Sequence, residues 1–177
     1  MRPTFDHLEV PHDPETTNVN FHFHDCDAGW IHLTVSAGSV KRQINLSHGW
    51  DPFPDFMACF ESICCGVEQC SFIIDEEGRG TRINFERFHW HCFQFTISDF
   101  ESSEVLLQCY VIPFEFVKSF YYSMHDFAFS DQYIKSEWSG PAEDDWHGVD
   151  LPTLRSKLIE DWIDNKQHLK DQLETTP

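Results

Sequence analysis

Two pairs of histidines have the spacing that lets one strand present two imidazoles on the same face. His22 and His24 form one pair, and His89 and His91 form the other. Each pair lies in a segment predicted to be a strand, where alternate side chains share a face, so each could offer two nitrogens to a metal ion. A half-exposed strand face explains the same spacing without a metal. We therefore predict no metal ligand and no cofactor, and keep a metal-binding protein or metal-dependent enzyme as an alternative.

Acidic residues are the second group that could do chemistry. Residues 126–150 contain seven acids and a single base, Lys135, which is the strongest local charge imbalance in the chain. Exposed tryptophan beside carboxylates suits contact with arginine or lysine on a partner. The partner-binding residues predicted in this segment are Glu143, Asp144, Asp145, Trp138 and Trp146.

A second acidic run, Asp75-Glu76-Glu77, is followed by Gly78 and Gly80. Such a sequence between two strand-like segments predicts a hairpin loop. A solvated loop is one interpretation of the run. We add Glu76 and Glu77 to the predicted partner-binding residues because the loop would present them to solvent.

Nucleophilic catalysis has little support in this sequence. There is no Gly-x-Ser-x-Gly motif and no glycine-rich phosphate loop. The seven cysteines include no Cys-x-x-Cys pair, and in a reducing compartment they are expected to be small buried or half-buried thiols. We therefore predict no catalytic residue and a protein that is not an enzyme.

The charge balance narrows the classes of partner. The chain has 30 acids and 12 bases, for a net charge of -18. Such a surface repels nucleic acid and anionic membrane and favours a basic protein. No apolar run is long enough to span a membrane, and the first residues lack the apolar core of a secretory signal. The expected location is the cytoplasm.

Residues 45–97 contain the clearest local structure. Asp51 can cap a helix over residues 52–65, with Pro52 or Pro54 in its first turn. Gly66 suits its C-terminal end. The apolar residues fall at the spacing of one buried helical face, namely Phe53, Phe56, Met57, Phe60, Ile63, Cys64 and Val67.

Strands and further helices surround that helix. Alternating patterns predict strands over residues 18–25, 30–37, 40–46, 68–74, 82–88, 90–97 and 104–112. A helix is predicted over 114–125, then a loop over 130–150, then a last helix capped by Asp150 with Leu151, Leu154, Leu158, Trp162 and Leu169 on its apolar face.

The predicted fold class is α+β, because strands and helices are segregated along the chain. It comprises a mainly antiparallel sheet of six or seven strands, one helix inserted in mid-chain and two C-terminal helices. Residues 1–177 are predicted to form a single domain, with an irregular lead-in over 1–17 and a frayed tail over 174–177.

The segments LSHGWDPFPDFMACF (46–60) and SFIIDEEGRGTRINFER (71–87) resemble a loose group of small uncharacterised bacterial cytosolic proteins. In that group a strand leads into an Asp-Pro helix start, a short amphipathic helix and an acidic hairpin turn. Many of its members look like immunity proteins of bacterial toxin systems. The resemblance spans about 50 to 60 residues, brings no catalytic residues, and implies a binding role. The numerous histidines and cysteines here depart from its pattern.

The sequence therefore favours an acidic cytoplasmic protein that binds and neutralises a basic partner, most concretely an immunity protein against a toxin domain. A structural subunit of a larger assembly is a further alternative. The identity of the partner, the strand order and the oligomeric state are left open by the sequence.

Overall fold

Seven antiparallel strands form two separate sheets in the computed structural model, which describes residues 14–89, 91–139 and 148–174. The predicted α+β class and antiparallel pairing are confirmed. The prediction of one sheet was wrong, because a helix at Phe53–Cys64 interrupts the run of strands, and the strands on either side of it, Val40–Ser47 and Gln69–Asp75, are not hydrogen-bonded neighbours.

The first sheet contains β1 (Val19–Asp27), β2 (Trp30–Ala37) and β3 (Val40–Ser47), in that order. Alternate residues of β1 and β2 are buried, as their sequence patterns predict. Ala28 and Gly29 join the two strands with φ values of 48° and 86°, the left-handed pair that matches the twist of a tight hairpin.

The second sheet contains β4 (Gln69–Asp75), β5 (Gly80–His89), β6 (Cys92–Asp99) and β7 (Val105–Val111), again in chain order. Each end of these strands lies within two residues of the limit predicted from the sequence. His89 ends β5, whereas His91 lies in the turn before β6, so the second histidine pair does not share a strand.

Helix α1 (Phe53–Cys64) follows the first sheet. Pro52, and not the predicted Asp51, holds the N-cap position, but the Asp51 carboxylate accepts the first helical N–H, that of Phe53, at 2.9 Å. Gly66 ends the helix with a φ of 84°. The predicted apolar face is buried from Phe53 to Ile63.

Three further helices complete the described chain: α2 (Pro113–Ala128), α3 (Lys135–Ser139) and α4 (Lys157–Glu174). Single 3-10 turns occur at His48–Trp50 and Leu151–Thr153. The segment predicted as a loop over 130–150 therefore contains a short helix.

The predicted start of the last helix was wrong. Asp150 precedes only the 3-10 turn, and Leu154 leaves that turn in an extended conformation. The Ser156 hydroxyl instead accepts the Ile159 N–H at 3.3 Å at the start of α4. With this later start, Leu158 is exposed, whereas Ile159 and, one turn further along, Ile163 are buried.

Phenylalanine side chains from both sheets and from α1 and α2 form one core. Phe120 of α2 lies near its centre. Its ring centroid is 5.0 Å from that of Phe21 in β1 and 4.5 Å from that of Phe56 in α1. Phe116 of the same helix reaches the second sheet, 4.9 Å from Phe85. The two sheets are thus joined through α1 and α2.

Cys59 of α1 and Cys70 of β4 form a disulfide, with Cα atoms 5.9 Å apart. The expectation that all seven cysteines are thiols was wrong for these two. The bond ties the end of α1 to the strand that follows it.

Within the described residues, no helix combines the length and apolarity required to cross a bilayer.

Candidate partner-binding surface

The turn between β1 and β2 lies beside α3. The Ala28 N–H donates to Glu137 Oε2 at 3.1 Å, and the Cys26 thiol lies 3.5 Å from the Ile134 carbonyl oxygen. Asp25 and Asp27 are exposed on the same strand end. Three carboxylates are therefore brought to this turn by elements far apart in sequence.

The 3-10 turn after β3 packs against this hairpin. The His48 N–H donates to the Gly29 carbonyl at 2.9 Å, and a Cβ built on Gly29 would overlap the His48 ring. The same turn carries Trp50, which is 53% exposed. We call Asp25, Asp27, Trp50 and Glu137 together the acidic end.

Trp138 does not have the exposed position that the sequence suggested. Its side chain is fully buried and packs edge-on against Phe53, with ring centroids 5.6 Å apart. Its indole N–H donates to the Val149 carbonyl at 3.0 Å, and a Cβ on Gly148 would overlap its ring. Trp138 is thus a core residue. Among the described tryptophans, Trp50 is the exposed one.

The residues that follow Gly148 are anchored as well. Asp51 Oδ2 accepts the Val149 N–H at 2.6 Å, while its other oxygen accepts the Phe53 N–H. Burial raises the pKa of Asp51, and the N–H groups of Val149 and Phe53 oppose that rise. Lys135 forms an ion pair with Asp150 at 2.9 Å. Trp138 on one side of residues 140–147, and Val149 on the other, are therefore held by contacts with the rest of the fold.

Four of the predicted partner-binding residues, Glu143, Asp144, Asp145 and Trp146, lie outside the described part of the chain.

Glu76 is not available to a partner, contrary to the sequence interpretation. Its side chain is only 3% exposed. Oε2 accepts the Asn45 N–H at 3.0 Å, and Oε1 accepts the Thr81 hydroxyl at 2.6 Å. Glu76 therefore joins β3 of the first sheet to the hairpin of the second.

Glu77 has a similar structural contact, although the residue is exposed. Its carboxylate accepts the hydroxyl of buried Ser47 at 2.6 Å. His48, the next residue after Ser47, lies edge-on to Trp138 with ring centroids 6.4 Å apart. The structure thus brings Glu76 and Glu77 to the C-terminal end of β3, which nothing in their sequence pattern indicated.

The two histidine pairs lie on different sheets. The rings of His22 and His24 are close, with centroids 4.3 Å apart, and His24 Nε2 lies 2.7 Å from the Thr34 hydroxyl. Among the residues that the structure describes, no group of three or more histidine, cysteine or carboxylate side chains is arranged to hold a metal ion.

Three thiols have little nucleophilic character at neutral pH. Burial raises the pKa of Cys26 to about 11, that of Cys64 to about 12 and that of Cys109 to about 11. The thiolate is the nucleophilic form, so these side chains are poorly suited to covalent catalysis.

A cleft between α2 and α4 holds a set of titratable residues that sequence reasoning missed. Tyr121, His125, Arg155 and Glu160 all line it. Tyr121 and His125 are spaced to share a helix face, but Glu160 belongs to a helix about 40 residues away along the chain, so no sequence motif marks the group.

No protein-family model matches the chain, and comparison with curated proteins and with solved structures gave no match.

Proposed function

We propose that this is a non-enzymatic acidic protein that binds a basic protein partner in the cytoplasm. In its most specific form, the proposal is that the protein is an immunity protein, which neutralises a bacterial toxin domain. The observation that carries the proposal is the charge balance of 30 acids against 12 bases, together with the exposed Asp25 and Asp27 and the half-buried Glu137 at the acidic end.

The pairing of the bases leaves the net charge unchanged but offsets the positive charges locally. Among the residues that the structure describes, six bases each lie within 4.0 Å of a carboxylate, namely Arg79, Arg87, Lys135, Arg155, Lys157 and Lys170. At the acidic end the nearby base is Lys135, whose charge is offset by Asp150. A positively charged partner would therefore meet little local repulsion there.

The physical advantage of such a surface is fast association. Complementary charge steers two proteins together before short-range contacts form, and buried aromatic groups then slow dissociation. Many toxin domains that act on nucleic acid are cationic, which makes an acidic inhibitor a natural match. Trp50 supplies an exposed aromatic group on the 3-10 turn that packs against the same hairpin.

The test begins with recovery of a partner from lysate of the source cell, by stepwise salt elution from immobilised protein. The recovered protein is then used to measure association kinetics with a variant carrying Glu143→Lys, Asp144→Lys and Asp145→Lys. We expect association to slow about tenfold or more and to become less dependent on salt, because the steering charge is reversed.

A matched control reverses three exposed acids on the second sheet, Glu86, Glu101 and Glu104. This variant has the same net charge, so it separates a local contact from the effect of overall charge. Equal association rates for the two variants would remove residues 143–145 from the interface. Recovery only of acidic or neutral partners, whose binding is unaffected by salt, would contradict the proposal itself.

A further inference from the structure

A cleft of about 310 Å³ separates the second half of α2 from the first half of α4. This volume is at the lower limit of ordinary ligand sites, and it suits a single side chain better than a cofactor. The cleft is distinct from the acidic end. Both helices were predicted from sequence, but the group of residues that lines the cleft between them was not.

The α2 wall of the cleft is aromatic. Phe129 is 70% exposed and Tyr122 is 46% exposed, so the fold leaves much of both rings in contact with solvent. The His125 ring lies between them in sequence and stacks on Phe129 with centroids 6.4 Å apart and planes 17° apart. Aromatic faces carry negative charge density and attract cations.

The α4 wall supplies carboxylates. Glu160 Oε1 accepts the Tyr121 hydroxyl at 2.8 Å and lies 2.7 Å from both Nε and Nη2 of Arg155. The charge of Arg155 is therefore offset by Glu160. Asp164, one turn further along α4, also lines the cleft and is exposed. Among the described groups that line the cleft, Asp164 thus leaves a net negative charge.

The environment of His125 favours the neutral form of its ring. Burial and the neighbouring Arg155 lower its pKa, while Glu160 and Asp126 oppose that change. The cleft therefore combines an aromatic wall, a carboxylate and an offset arginine, and an anionic ligand would be repelled from it.

We propose that this cleft binds the guanidinium or ammonium group of an arginine or lysine side chain of the basic protein partner, between the aromatic wall and the Asp164 carboxylate. The inference rests on the proposed function for the source of that side chain. It gives the partner a second contact point, separate from the acidic end, and it explains why Phe129 remains exposed.

The test needs no partner. Backbone amide shifts of the full-length protein are followed during titration with N-acetyl-arginine amide, and with the uncharged isostere N-acetyl-citrulline amide. We expect saturable shifts at Tyr122, His125, Phe129 and Asp164 with the arginine probe, in the millimolar range, and weak unsaturated shifts with the citrulline probe.

Two variants remove the two walls separately. Phe129→Ala should weaken binding of the arginine probe about threefold to fivefold, and Asp164→Asn should weaken it by a similar factor. Both side chains are exposed, so neither change should disturb the core. The matched controls, Phe88→Ala and Glu104→Gln, alter exposed residues of the second sheet and should leave the affinity unchanged.

Equal shifts with both probes, or unaltered affinity in the Phe129 and Asp164 variants, would overturn the inference. That failure is distinguishable from failure of the proposed function. A basic partner that responds to reversal of residues 143–145 but not to Phe129→Ala would leave the proposed function standing and remove the cleft from it.

Discussion

The Asp51 carboxylate accepts two backbone hydrogen bonds from parts of the chain that are far apart in sequence. One oxygen accepts the Phe53 N–H at the start of α1, and the other accepts the Val149 N–H from a segment 98 residues away. The sequence predicts the first contact, because it is local. The second contact depends on the path of the chain at Val149, which only the folded structure decides. It links the start of α1 to that distant segment.

Replacing Asp51 by alanine should therefore cost more than loss of an ordinary cap. Two N–H groups lose their acceptor, so we expect the free energy of unfolding to fall by about 2–4 kcal/mol in urea denaturation. Asp55→Ala, which removes an exposed acid from the first turn of the same helix, serves as the control and should cost less than about 1 kcal/mol. Equal losses in the two variants would argue against the contact with Val149.

His125 should make stability depend on pH. Its pKa in the folded protein is lowered from 6.5 by burial and by Arg155, with Glu160 and Asp126 opposing and Tyr121 packed against the ring. The unfolded chain therefore binds the proton more readily, and this contribution to stability is lost as the pH falls below about 6.5.

The test compares the stability of the wild-type protein with that of His125→Phe, which keeps an aromatic ring but cannot titrate. Between about pH 8 and about pH 5, the wild-type protein should lose stability relative to this variant in urea denaturation. The difference isolates His125 from His24, whose pKa is also lowered. A constant difference across the range would show that His125 does not contribute.

At the scale of elements, the contact between α1 and β4 is reinforced covalently. Cys59 and Cys70 are separated by only 11 residues in sequence, and their bond closes the connection between helix and strand. The predicted apolar face of the helix did not include Cys59, and the pairing was not predictable from sequence, since it depends on how the strand returns beside α1.

Reduction of this disulfide should lower the stability of the oxidised protein. The short loop limits the expected loss to roughly 3 kcal/mol or less. Urea denaturation with and without a reductant measures it, and free-thiol assay of the unfolded oxidised protein should find five thiols, which matches the five free cysteines of the structure. Cys59→Ala with Cys70→Ala should abolish the effect of reductant, and an unchanged effect would assign it to another cysteine.

At the scale of the whole molecule, net charge opposes folding. A charge of -18 makes the compact state repel itself, and the ion pairs on the surface offset only part of that repulsion. Salt screens the long-range repulsion more than it weakens close pairs.

Raising the NaCl concentration from about 10 mM to about 300 mM should therefore increase the melting temperature by about 2–4 °C. Neutralising Glu86, Glu101 and Glu104 to glutamine should reduce this response, because part of the repulsion is already removed. A melting temperature that falls with salt would mean that the ion pairs stabilise the fold more than the excess acid destabilises it.

The sequence by itself determined the local structure of this protein. The alternating apolar residues of β1 and β2, the apolar face of α1 and the stop at Gly66 follow from periodicity and backbone preferences, which act over a few residues. The α+β class follows from the same patterns.

The tertiary structure alone decided which residues meet. It separated the strands into two sheets, buried Trp138 and Glu76 that local composition had marked as exposed, and placed Trp50 at the surface instead. It also brought Glu160 of α4 to Tyr121 of α2. Composition and periodicity describe what a residue prefers, whereas burial and pairing depend on neighbours that only the folded chain supplies.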